Sequence, residues 1–175
     1  REQNDHWNYF YHTISWACVY LFMDAIWIMN VKHFLTFSKI QSGIFNSFYF
    51  CSLAMLVCSW YVYAQKTLHS AVLKDKKILV LTFIPLIFFI GSSLLSYWTH
   101  GLFVIDQAGN YHRGKLLPFY FFILFAYILY LSIKAVYLSK KAKNYLYQKE
   151  YKVIARFSFL PFITALIQIT VDHLL

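Results

Sequence analysis

Charge is what this sequence has least of. Asp, Glu, Lys and Arg make up 13% of its 175 residues, about half of the roughly 25% usual in soluble domains. Acids are the scarcer sign, with seven Asp and Glu against sixteen Lys and Arg. Disorder is excluded by the opposite excess, because 22% of the chain is Phe, Trp or Tyr. Cysteine is sparse too. Cys18, Cys51 and Cys58 all fall inside apolar runs, with no CxxC pair and no His at ligand spacing, so neither a metal centre nor a disulfide framework is expected. Nor does the chain contain a P-loop, a dinucleotide-binding turn, HExxH or GxSxG. No enzymatic activity and no cofactor is expected of it.

What is there is hydrocarbon. The chain is 60% hydrophobic with mean hydropathy +0.51, more apolar side chain than one water-soluble core of this size can hide. The expectation is an all-α, polytopic transmembrane helix bundle forming a single domain. About 20 apolar residues are needed to cross a bilayer, and five runs qualify: 11–31, 44–64, 78–99, 116–138 and 153–175. They are continuous instead of alternating, which excludes barrel strands. Pro118 opens the fourth run, where a first-turn proline costs little. Pro85 and Pro161 lie further inside theirs and are expected to kink a helix or free a carbonyl. Trp7, Trp16, Trp27, Trp60 and Trp98 gather toward run ends as an interfacial belt.

Loop lysines give an orientation. Connectors 65–77 and 139–152 hold nine lysines together, whereas the alternate connectors hold four Lys and Arg. Basic loops stay in the cytoplasm, so the N-terminus is expected inside a bacterial cytoplasmic membrane. The lysines sit in short loops between apolar runs, which points to anionic headgroups and away from nucleic acid. The stretch 139–152, "SKKAKNYLYQKEYK", lies on that surface or continues a helix. Five spans would leave Leu175 outside, so the chain is expected to be part of a longer protein in which a sixth span returns. It opens without Met and shows no cleavable signal-peptide pattern.

The polar interlude "GLFVIDQAGNYHRGK", residues 101–115, then faces outward. Phe103–Ile105 has strand character, Tyr111 begins a return strand, and "DQAGN" fits a turn with Gly109 in a left-handed position. A small extracytoplasmic β-hairpin between spans three and four is predicted. It is either a structural cap or a receptor surface for a small-molecule or peptide signal, with Asp106, Tyr111, His112 and Arg113 as ligand-binding candidates. Inside the apolar runs, Asp24, Gln168 and Asp172 are the intramembrane polar candidates, as hydrogen-bonded glue or as functional groups. His100 closes the third run.

With these marks in place a resemblance can be given. "MDAIW" at 23–27, "FNSFYFCSLAMLVCSWYVY" across the second run, Pro85, "GLFVIDQAGNYHRG" and "LPFITALIQI" at 160–169 follow one another. The order resembles the N-terminal multi-span sensor region of many Gram-positive membrane-bound diguanylate cyclases with a GGDEF effector. It is more distantly similar to the seven-span N-terminal region of certain histidine kinases. The resemblance implies a six-helix module, a cytoplasmic effector domain C-terminal to the last helix, and a homodimer. No GGDEF or kinase motif is present in this chain. Two other function classes stand beside the sensor. A small transporter or carrier subunit would use Asp24 and Asp172 as a relay and predicts inverted repeats. An intramembrane enzyme would need paired catalytic groups at depth.

Overall fold

The computed structural model describes residues 2–31, 34–35, 37–73, 75–107 and 110–172, and of residues 2–6, 31, 71 and 160–172 the backbone alone. Five helices and one hairpin follow in order: α1 (Glu2–Val31), α2 (Lys39–Thr67), a short 3-10 turn (Ala71–Leu73), α3 (Lys76–Thr99), β1 (Phe103–Ile105), β2 (Tyr111–Arg113), α4 (Leu117–Lys141) and α5 (Tyr145–Asp172). Four of the helices are long and apolar enough to cross a membrane: Trp7–Asn30 within α1, then α2, α3 and α4. Most apolar residues of the fifth run, 153–175, lie where side chains are not described. Large apolar side chains such as Leu21, Phe22, Leu81, Ile87, Phe122 and Ile133 cover the outside of the bundle. An exterior of that kind is solvated by hydrocarbon, not water.

Local chemistry sets the helix ends, so the helices outrun the apolar stretches. Ser38 and Gln41 form a capping box at the start of α2, with Ser38 N–H donating to Gln41 Oε1 at 2.9 Å. Asp75 caps α3 by accepting from the Lys77 N–H at 2.9 Å. Pro118 sits in the first turn of α4. Asn144 Oδ1 accepts from Leu146 N–H at 2.9 Å and opens α5. The basic connector 139–152 is therefore mostly helix, with 142–144 alone between α4 and α5.

α2 is the centre, touching α1, α3, α4 and α5, while α1 packs chiefly against α2. Small residues let the backbones approach: Ala54, Ala64 and Ala135 are fully buried. At Gly43 a Cβ would stand 2.2 Å from the Tyr97 ring. One core cluster lies toward the hairpin, around Phe50, Phe89, Phe103 and Tyr120. A second, around Tyr61, Leu131, Tyr151 and Ile154, lies toward the basic end. Tyrosine hydroxyls tie the helices by reaching main-chain oxygens: Tyr120 donates to Phe50 at 2.5 Å, and Tyr127 donates to Thr82, one turn before Pro85.

Candidate functional site

The predicted hairpin is present, antiparallel, with Phe103 opposite Arg113, Val104 opposite His112 and Ile105 opposite Tyr111. Its base is locked to the bundle. α3 ends with His100 in the left-handed region at φ 57°. Buried Ser96 Oγ then accepts from the N–H groups of Leu102 (2.8 Å) and Phe103 (3.2 Å), satisfying two donors of the sharp exit. Gly114 N–H donates to the Leu102 carbonyl at 2.9 Å, and Leu116 N–H to that of Gly101 at 2.9 Å. A Cβ at Gly114 would meet the Gly101 carbonyl oxygen at 2.2 Å. Only glycine allows this crossing.

The four hairpin candidates do not face one way. Asp106 serves the turn: its carboxylate accepts from the Asn110 main-chain N–H at 2.8 Å and from Asn110 Nδ2 at 3.0 Å. The same carboxylate meets His112 Nε2 at 3.3 Å, in a pair too exposed to add much stability. Cross-strand pairing puts Val104 and His112 on one face, and Phe103, Ile105, Tyr111 and Arg113 on the other. Phe103 and Ile105 are buried, Tyr111 is half-buried, and His112 and Arg113 are exposed. Burial pushes the Tyr111 hydroxyl up to about 12, with nearby Arg113 pulling the other way. Tyr111 therefore stays protonated at any physiological pH. Gly109, expected in the left-handed position, lies outside the described residues.

Tyr111 leads inward. Its ring meets Trp27 of α1 edge-on at 5.9 Å between centroids, and Trp27 stacks on Tyr49 of α2 at 6.0 Å. From the other strand, Phe103 stacks on Phe50 at 6.0 Å, and Phe50 meets Tyr49 edge-on at 5.2 Å. Both strands thus reach Tyr49. The Tyr49 hydroxyl stands close enough to the Asp24 carboxyl to interact with it electrostatically and lies 3.4 Å from the Tyr20 hydroxyl. Tyr20, Tyr49 and Asp24 thus form one polar cluster between α1 and α2. Asp24 lies about two helical turns, or about 10 Å, inside the hairpin end of α1. A carboxyl at that depth needs such partners.

A second polar centre lies toward the opposite end. Lys134 of α4 is half-buried, and its Nζ donates to Gln65 Oε1 at 2.6 Å and to Ser70 Oγ at 2.5 Å. Counting loop lysines leaves Lys134 out, because it lies inside the 116–138 run. A lone cation in "LYLSIKAVYLS" is the sequence signal that marks it. Tyr20 and Tyr49 carry a weaker signal. Tyr20, Asp24 and Trp27 recur at helical spacing on one face, but nothing in the sequence pairs that face with Tyr49. Gln168 and Asp172 lie on α5, with side chains outside the described residues. No group of His, Cys, Asp or Glu among the described residues is arranged to hold a metal. The three cysteines are free, and Cys18 is exposed on the outer face of α1.

The arrangement therefore offers exposed His112 and Arg113, on opposite faces of a hairpin whose Tyr111 and Phe103 reach Tyr49, ring to ring, through Trp27 and Phe50, with half-buried Asp24 beside Tyr49. No family model, curated protein or solved structure matches this chain.

Proposed function

We propose that the chain is a membrane-embedded sensory module that perceives an extracytoplasmic or intramembrane signal and regulates a cytoplasmic effector. The effector is proposed to be a diguanylate cyclase, C-terminal to this segment in a homodimeric protein of the bacterial cytoplasmic membrane. The observation that carries this reading is the run of ring contacts Tyr111–Trp27–Tyr49, which ties the hairpin to α1 and α2 one turn from Asp24. Lysine bias supports an outward hairpin and a cytoplasmic N-terminus. A small polar or anionic molecule, or a peptide, that engages exposed Arg113 and His112 also loads Tyr111 on the same strand. The load passes to Trp27, and so to the seat of α1 on α2. Because α1 is held chiefly by one neighbour, two seats of that helix need differ by only a few kcal/mol for a ligand to repopulate them.

The test is cyclic di-GMP in cells expressing the full reading frame. Trp27→Leu keeps an apolar side chain of helical habit but removes the ring between hairpin and acid. A shift of about 1 kcal/mol in a two-state balance changes the ratio about fivefold. A several-fold change in basal cyclic di-GMP at normal expression is the expected outcome. Output equal to wild type would overturn the reading.

A further inference from the structure

The basic end of the bundle holds a cleft that the sensory reading does not use. It has a volume of about 310 Å³ and is lined by Tyr61 of α2, Thr82 of α3, and Ala126, Tyr127 and Tyr130 of α4. That is the lower end of the range of small-molecule clefts, about 300–1,000 Å³. Ala126 and Tyr130 are exposed, so the cleft opens on the outside of the bundle, where the apolar exterior meets lipid. Each wall climbs toward positive charge. One turn on from Tyr61 in α2 come Gln65 and Lys66. One turn on from Tyr130 in α4 comes Lys134, whose Nζ lies 5.7 Å from the Tyr130 ring. α3 runs the opposite way, from Lys76 and Lys77 at its start to Thr82.

Lys134 and Gln65 do not line the cleft but stand one turn beyond its Tyr130 and Tyr61. Lys134 has hydrogen-bond partners in Gln65 and Ser70, and both are neutral. Asp106 pairs with His112 at the hairpin, far from Lys134. Two of the three ammonium donors are occupied, which leaves a third. Gln65 is fully buried, and its Nε2 meets no acceptor in hydrogen-bonding geometry. A charge inside a span ordinarily has an opposite charge beside it, and a buried amide donor left empty is costly. Gln65 is out of a ligand's reach, but half-buried Lys134 calls for an anionic group rich in acceptor oxygens. In a bilayer an acyl chain gains little by leaving lipid for a protein groove, so selectivity must come from the head.

We propose that this cleft is a binding site for one anionic phospholipid, with a chain against Tyr61, Ala126, Tyr127 and Tyr130 and the phosphodiester at Lys134. Basic pockets between transmembrane helices are suited to such headgroups. The site does not depend on the sensory reading. It depends only on the bundle sitting in a bilayer, and it holds whichever way the bundle faces.

Purified protein in a mild zwitterionic detergent would be titrated with phosphatidylglycerol, with phosphatidylcholine of the same chains, and with inorganic phosphate, reading bound lipid by native mass spectrometry. One phosphatidylglycerol per chain, bound in preference to phosphatidylcholine, is expected. Lys134→Met should weaken it about fivefold, the share of one lysine near a headgroup. Lys140→Met removes an exposed charge further along α4 and should leave the stoichiometric lipid in place. Ala126→Phe fills the cleft from its open side without touching Lys134, and should displace the lipid even if the Lys134 variant folds poorly. Equal binding of the two lipids, or Lys134→Met and Lys140→Met behaving alike, would overturn the proposal. So would inorganic phosphate competing fully at equal concentration, since it would mark a plain anion site.

Discussion

The bundle half-buries one acid and one base, each about two turns from a helix end, and treats them differently. Asp24, near the hairpin end of α1, lies beside Tyr49, which also meets the Tyr20 hydroxyl and the Trp27 ring. Lys134, near the basic end of α4, is met by two neutral acceptors beside an open cleft. The first centre has tyrosines for neighbours and is connected to a surface element. The second is left to be completed from outside. A buried charge whose partners are all internal can report on the packing around it, whereas one with unfilled valence recruits a ligand.

The largest effect expected is at the glycine that holds the hairpin down. Gly114→Ala drives a Cβ against main-chain atoms and should cost about 3 kcal/mol in unfolding by denaturing detergent. Lipid binding at Lys134 should survive it. Gly91, where a Cβ would meet nothing within 4 Å, is the control: Gly91→Ala should stabilise by about 0.5–1 kcal/mol. Loss of lipid selectivity in the Gly114 variant would show that the two centres are not separate.

Smaller substitutions should divide the centres by sign. Tyr49→Phe keeps the ring and deletes the hydroxyl shared by Asp24 and Tyr20, costing about 1–2 kcal/mol. Lys134→Met exchanges a cation with neutral partners for an apolar chain of similar length, and should be neutral or stabilising in lipid-free detergent. Tyr20→Phe should cost least, about 0.5 kcal/mol, since its hydroxyl contact with Tyr49 is long at 3.4 Å. Equal losses at Tyr49 and Lys134 would erase the distinction.

The helices and the hairpin were legible because they follow from local pattern. Apolar runs mark the helices, and the two short strands around "DQAGN" mark the turn. Helix ends were less legible, since capping by Ser38, Asp75 and Asn144 carries α2, α3 and α5 past the apolar runs. The candidate site was legible only in pieces. Asp24 and Tyr111 stand out as residue types, but their connection passes through Trp27 and Tyr49, which in sequence are ordinary members of aromatic helices. Asp106 and His112 stood out among the four hairpin candidates, and their geometry ties Asp106 to the turn and to His112. Contacts of this kind depend on which helix faces are neighbours, a tertiary fact that periodicity does not contain.

Coupling between the hairpin and the acid is measured most directly by a double-mutant cycle on Tyr111→Leu and Tyr49→Phe, read as unfolding free energy in detergent. The two side chains are joined through Trp27, so a coupling above about 0.5 kcal/mol is expected. Losses that add to within that margin would mean that Trp27 transmits nothing, and that the hairpin is a cap with no hold on Asp24.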